Sequence, residues 1–115
     1  MDYIEPQKGD KIVCVNISKT YNVRESLYDA TRHYWRLNGN RAQLATHVIG
    51  IVNGIVKCVF IPQKWYITSN SSPELIGRWE FEGIEDDNSP YLGKSVYNVV
   101  NYRSSNPVAY INWED

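Results

Sequence analysis

The 115-residue chain has only two cysteines, Cys14 and Cys58, with one methionine and two phenylalanines. Two thiols cannot build the disulfide framework of a small secreted scaffold. Both sit in apolar, strand-like runs, so buried free thiols are expected, with a bridge across neighbouring strands as the alternative. Histidine is equally scarce, and neither His33 nor His47 stands at a spacing that resembles a zinc or iron site. No apolar run approaches the roughly 20 residues that cross a bilayer, and no signal-peptide pattern is read at the start, so a cytoplasmic protein is expected. A basic excess is missing too. The formal net charge is −1, whereas a binder of long nucleic acid needs many cations to displace counterions.

What the chain has instead is rings: nine Tyr and four Trp. These side chains join an apolar body to a polar tip, and they serve cores and ligand sites equally well. Charge is also unevenly spread. Over residues 24–41, Arg24, Arg32, Arg36 and Arg41 against Glu25 and Asp29 leave +2. Over residues 74–88, Glu74, Glu80, Glu82, Glu85, Asp86 and Asp87 against Arg78 leave −5. A small anion in one focused pocket suits this distribution better than a long polyanion.

The stretch Asn22 to Leu37 reads as one amphipathic helix, capped by Asn22 with Glu25 completing a capping box and closed by Asn38-Gly39. Val23, Leu27, Ala30, Tyr34 and Leu37 recur at helical spacing on a core-facing side. Arg24, Tyr28, Arg32 and the pair Trp35/Arg36 recur on a neighbouring side. Guanidinium groups interleaved with rings suit a ligand with flat rings and negative charge, which points to a nucleotide. Trp65, Tyr66, Arg78 and Lys94 are its expected neighbours. Trp35 alone reads better as a core ring, and the arginines with Tyr28 read equally well as an exposed face whose stems lie along the surface.

Around that helix the chain reads as strands. Residues 1–9 form an extended arm, and Lys11 to Ile17 is the first strand. Arg41 to Thr46 continues as one or two helical turns after Asn40. His47 to Val52 and Ile55 to Ile61 are joined by Asn53-Gly54, the strongest short hairpin signal, with Pro62 closing the second strand. Arg78 to Ile84 alternates, Trp79 and Phe81 one way and Glu80 and Glu82 the other, as in a half-exposed strand. Tyr91 to Asn106 is irregular, and Val108 to Trp113 is a last strand. The expectation is a single α+β domain over residues 1–115: a small, curved, antiparallel five-stranded sheet or barrel with one main helix after the first strand. This element order loosely resembles PUA-like domains, which include readers of RNA and of modified bases.

Candidate chemistry is thin. Gly93-Lys94-Ser95 lacks the Gly that a phosphate-binding loop needs at position 88, where Asn88 stands, so nucleotide hydrolysis is rejected. Lys94 and Ser95 remain candidates for phosphate contact through backbone N–H groups, the ammonium and the hydroxyl. The acidic residues from Glu80 to Asp87 read as the solvent face of a strand and a turn rather than a metal site. No catalytic, metal or cofactor residue is assigned.

Several blocks together resemble a known family: Leu27 to Arg32 with Trp35 to Leu37; Val52 to Val56 followed by Trp65; Arg78 to Phe81; Tyr91 to Val96; and Asn106 to Val108. The set is similar to a widespread family of small phage and bacterial proteins, the one taken to include phage anti-CBASS sponges. The resemblance implies a non-catalytic protein that sequesters cyclic oligonucleotide immune signals such as cyclic dinucleotides, as a homo-oligomer (tetramer or dimer) in the host cytoplasm. It carries Arg32, Trp35, Lys94 and Ser95 forward as ligand contacts. With Arg24, Tyr28, Arg36 and Trp65 from the residue reading, these make eight candidates. The alternative is a PUA-like reader of RNA or of modified bases in DNA.

Overall fold

A computed structural model describes residues 2–100 and 106–113. Among the described residues five strands form one open sheet: β1 (Ile12–Asn16), β2 (His47–Val52), β3 (Ile55–Ile67), β4 (Trp79–Glu85) and β5 (Val108–Ile111). Their order is β4-β3-β2-β1-β5, so the expected Asn-Gly hairpin forms and lies inside the sheet, between β4 and β1. Asn53 and Gly54 both take positive φ, 51° and 78°, which is the twist a two-residue hairpin turn requires. Past the hairpin, the Tyr97 ring packs on Gly54 and its hydroxyl donates to the Asn53 carbonyl at 2.7 Å.

Two expectations about the sheet change. The ladder is not wholly antiparallel, because β1 and β2 run parallel in register from Ile12↔His47 to Asn16↔Ile51. Residues 17–46 lie between them, and a crossover of that length is what parallel neighbours need. The sheet is also open, with β4 and β5 at opposite ends of the order. Pro62 does not close β3, which continues to Ile67. Pairing with β2 stops at Phe60↔Val48, so Pro62 has no ladder bond to donate on that side. Its pairing with β4 shifts register between Pro62 and Lys64, and Gln63 bulges out.

The long helix expected from Asn22 is replaced by α1 (Leu27–Arg32) and, after an extended stretch, α2 (Gly39–Ala42). Ser26, not Asn22, caps α1 by accepting the Asp29 N–H at 3.0 Å. Val23, assigned to the core face, is 75% exposed. The helix stops at His33, whose backbone is extended, because Trp35 pairs with the edge of the sheet instead of continuing the helix. Asn38 caps α2 through Oδ1 and the Arg41 N–H, 3.2 Å apart, so Gly39 opens a helix rather than ending one. The glycine is needed there for space: a Cβ would overlap the Trp79 indole.

Strand alternation divides the core in two. Val13, Val15, Val48 and Phe60 face Ala30, Trp35 and Ala42 from the helical crossover. Ile12, Cys14, Ile49 and Val59 face Ile4 of the arm together with Tyr91 and Val96. The arm is therefore packed, held by hydrogen bonds between Ile4 and Ser95 and between Ser95 and Asp2, each 2.8 Å. Cys14 and Cys58 belong to opposite faces and both are free and buried. Burial pushes the Cys14 thiol up to about 12. The last strand is shorter than expected, ending at Ile111, and of the irregular stretch Tyr91 to Asn106, residues 101–105 lie outside the described residues.

Gly54→Ala combines a positive φ with overlap on the Tyr97 ring. We expect a loss of about 1–3 kcal/mol in urea denaturation, and an unchanged midpoint would show that the turn relaxes without cost.

Candidate ligand-binding site

The free edge of β4 decides what the proposed ligand face does. An edge strand exposes N–H and C=O groups on alternate residues, here Trp79, Phe81 and Gly83. Trp35 exchanges two backbone hydrogen bonds with Trp79, both 2.9 Å. Arg32 Nε donates to the Phe81 carbonyl at 2.8 Å, and the Tyr28 hydroxyl accepts the Gly83 N–H at 3.1 Å. The spacing works because one helical turn advances about 5.4 Å and two strand residues about 6.6 Å. Residues four and three apart on and after α1 thus meet successive outward groups of the strand. Tyr28 also packs against Phe60 and Phe81, and the Trp35 indole donates to the Thr31 carbonyl at 2.7 Å.

The rest of the Arg32 guanidinium is used as well. One terminal nitrogen lies 2.7 Å from His33 Nε2, and the other donates to the Tyr66 hydroxyl at 2.6 Å and pairs with Glu80 at 3.2 Å. Glu80, expected in solvent, is 7% exposed. Alternation turned it from the Phe81 side, but α1 covers the edge and encloses it. Burial works to raise the Glu80 carboxyl, and hydrogen bonds from Thr68 and Tyr66 with the charges of His33 and Arg32 outweigh it, so the net direction is down. Burial and hydrogen bonding to Glu80 and Glu82 push Tyr66 up to about 12. Burial, then the Arg32 charge, lowers His33.

The other candidates do not converge on this cluster. The Arg24 guanidinium lies over the Tyr34 ring at 5.5 Å, and Arg36 is exposed with no partner among the described residues. Lys94 pairs with Asp2 at 3.3 Å. Ser95 is fully buried, its hydroxyl accepting the Tyr97 N–H. The backbone N–H groups of Gly93, Lys94 and Ser95 all donate to protein carbonyls, at 2.9, 3.2 and 2.8 Å, so this loop offers no backbone N–H to a phosphate. Among the described residues no group of three or more His, Cys, Asp or Glu is placed to hold a metal ion.

Two hollows take in the remaining candidates. Lys94 borders an open one of about 730 Å³ beside the arm, lined also by Asp2, Tyr3, Glu5, Gln7 and Tyr91. Trp65 lines a smaller cleft of about 280 Å³ between the end of α2 and the β3 bulge, with Gln43, Ala45, Pro62, Gln63 and Lys64. Trp65 is 7% exposed, and its indole N–H has no hydrogen-bond partner among the described residues. Tyr28, Arg32 and Trp35 line neither hollow. Gln43, Gln63 and Lys64 were not among the eight, although a proline inside an apolar run already marks a bulge. Compared with known proteins, the chain matches no family model, no curated protein and no solved structure.

Removing the guanidinium takes the side-chain donor from the Phe81 carbonyl and the permanent cation from the buried Glu80, leaving it Thr68, Tyr66 and His33. Arg32→Ala is expected to lower stability by about 3 kcal/mol, and Arg32→Lys, which cannot form the fork, to recover little of it. Denaturant midpoints within error of wild type for Arg32→Ala would disprove the edge-cover role.

Proposed function

We propose that the chain binds a nucleotide ligand in the cleft between α2 and the β3 bulge and holds it without breaking a bond. This is the mode in which a sponge withdraws a cyclic oligonucleotide signal. The observation that carries the reading is the lining of that cleft: the nearly buried Trp65 ring lies among Gln43, Gln63 and Lys64, whose ammonium stands over the Tyr66 ring at 5.4 Å. A base stacked against an aromatic ring gains about 1–3 kcal/mol. The two amides can match the mixed donors and acceptors of a base edge, and the lysine supplies charge for a phosphate. A cleft of about 280 Å³ suits one nucleoside unit rather than a whole cyclic dinucleotide. Two copies of the chain would then share one ligand, which fits the homo-oligomer that the resemblance implies.

A second reading comes from the element order expected of the residues, which loosely resembles PUA-like domains. A PUA-like reader would close these strands into a more curved sheet and take a flipped base of RNA or DNA into the same cleft.

Calorimetry against cyclic dinucleotides, cyclic trinucleotides and short oligonucleotides separates the two. The first reading expects a cyclic nucleotide to bind, to be recovered intact after denaturation, and to bind about tenfold more weakly to Gln63→Ala, which removes an amide from the cleft. Linear product, or no cyclic nucleotide bound, would overturn it. Oligonucleotide binding that falls steeply with salt would favour the second.

A further inference from the structure

His33 sits where the cover of the β4 edge is fastened. An arginine N–H only donates, so the 2.7 Å contact from Arg32 makes His33 Nε2 an acceptor and places the ring proton on Nδ1. Nδ1 lies 3.2 Å from Asp29 Oδ1, within ion-pair distance but not aligned for a hydrogen bond. Glu80 Oε1 is 3.4 Å from Nε2, the Tyr34 ring stacks on the imidazole at 4.3 Å, and Arg24 approaches from the preceding turn. The His33 side chain is 10% exposed, so little water reaches a charge placed there.

We propose that His33 is a proton-operated latch on the edge cover: protonation at Nε2 ejects the Arg32 hydrogen bond and loosens α1 from β4. The proton occupies the lone pair that Arg32 uses, and it sets two cations side by side with Glu80 shared between them and Asp29 at the far ring nitrogen. Nε2 turns to Glu80, which Arg32 then has to share. Arg32 Nε also holds the Phe81 carbonyl, so a displaced guanidinium releases the strand edge, with Tyr28 and Trp35 as the remaining ties. Burial and Arg32 lower the folded-state value of His33. The unfolded chain therefore takes up the proton first, and stability present above the ordinary histidine range is lost as pH falls through it towards the folded-state value.

The test is amide hydrogen exchange by NMR between about pH 7.5 and about pH 5.5, with the ring signals of both histidines followed alongside. Protection factors at Trp35, Trp79 and Gly83 are expected to fall at least about tenfold relative to Val48 and Val59 in the hairpin, tracking the His33 ring. His33→Gln keeps an oxygen acceptor for Arg32 and should abolish that dependence, whereas His47→Gln should leave it intact. Edge protection that stays constant while His33 titrates would overturn the proposal, as would the same loss in His33→Gln.

Discussion

The fold depends on how the outer edge of β4 is satisfied. Three backbone positions on that edge, Trp79, Phe81 and Gly83, meet Trp35, Arg32 and Tyr28 from the crossover. A helical turn and a two-residue strand repeat are close enough in length that a short helix beside an edge can serve it group by group. The register also explains why the helix is short. Continuing it past Arg32 would carry Trp35 away from its two bonds with Trp79, and a bare strand edge is an invitation to intermolecular pairing.

The same constraint accounts for the buried charge. Arg32 reaches the Phe81 carbonyl by crossing the side of β4 where Glu80 lies, so the carboxylate is enclosed with a guanidinium, a phenol and an imidazole around it. A buried pair of this kind contributes little net stability over an apolar substitute, but losing one member leaves the other uncompensated. Its consequence is specificity of position: α1 has one place on the sheet where Arg32, Tyr28 and Trp35 all meet their partners.

Ring and guanidinium chemistry looks alike whether it serves a ligand or a strand edge. Planar donors and amphipathic rings suit a phosphate and a base; they equally suit a carbonyl, a carboxylate and an aromatic core. On α1 these groups are saturated by the protein itself. The cleft by α2 differs because its lining includes the side chains of Gln43, Gln63 and Lys64, and its Trp65 indole N–H has no partner among the described residues. That contrast moves the binding proposal from the helix to the bulge of β3.

The residue order by itself determined the strands and the central hairpin, because alternation, β-branched runs and Asn53-Gly54 act over a few neighbouring residues. It also gave free thiols as the default for Cys14 and Cys58, but left Trp35 between the core and a ligand. Tertiary structure alone decided the parallel pairing of β1 with β2, the end of the helix at His33, the burial of Glu80 and the continuation of β3 beyond Pro62. Each of these depends on a partner far along the chain: β2 for β1, Trp79 for Trp35, Arg32 for Glu80, and the end of the β2 ladder for Pro62. Periodicity reports which side of an element is apolar, but not which distant group will claim a polar side chain, because the desolvation and hydrogen bonding that settle that contest exist only once the segments have met.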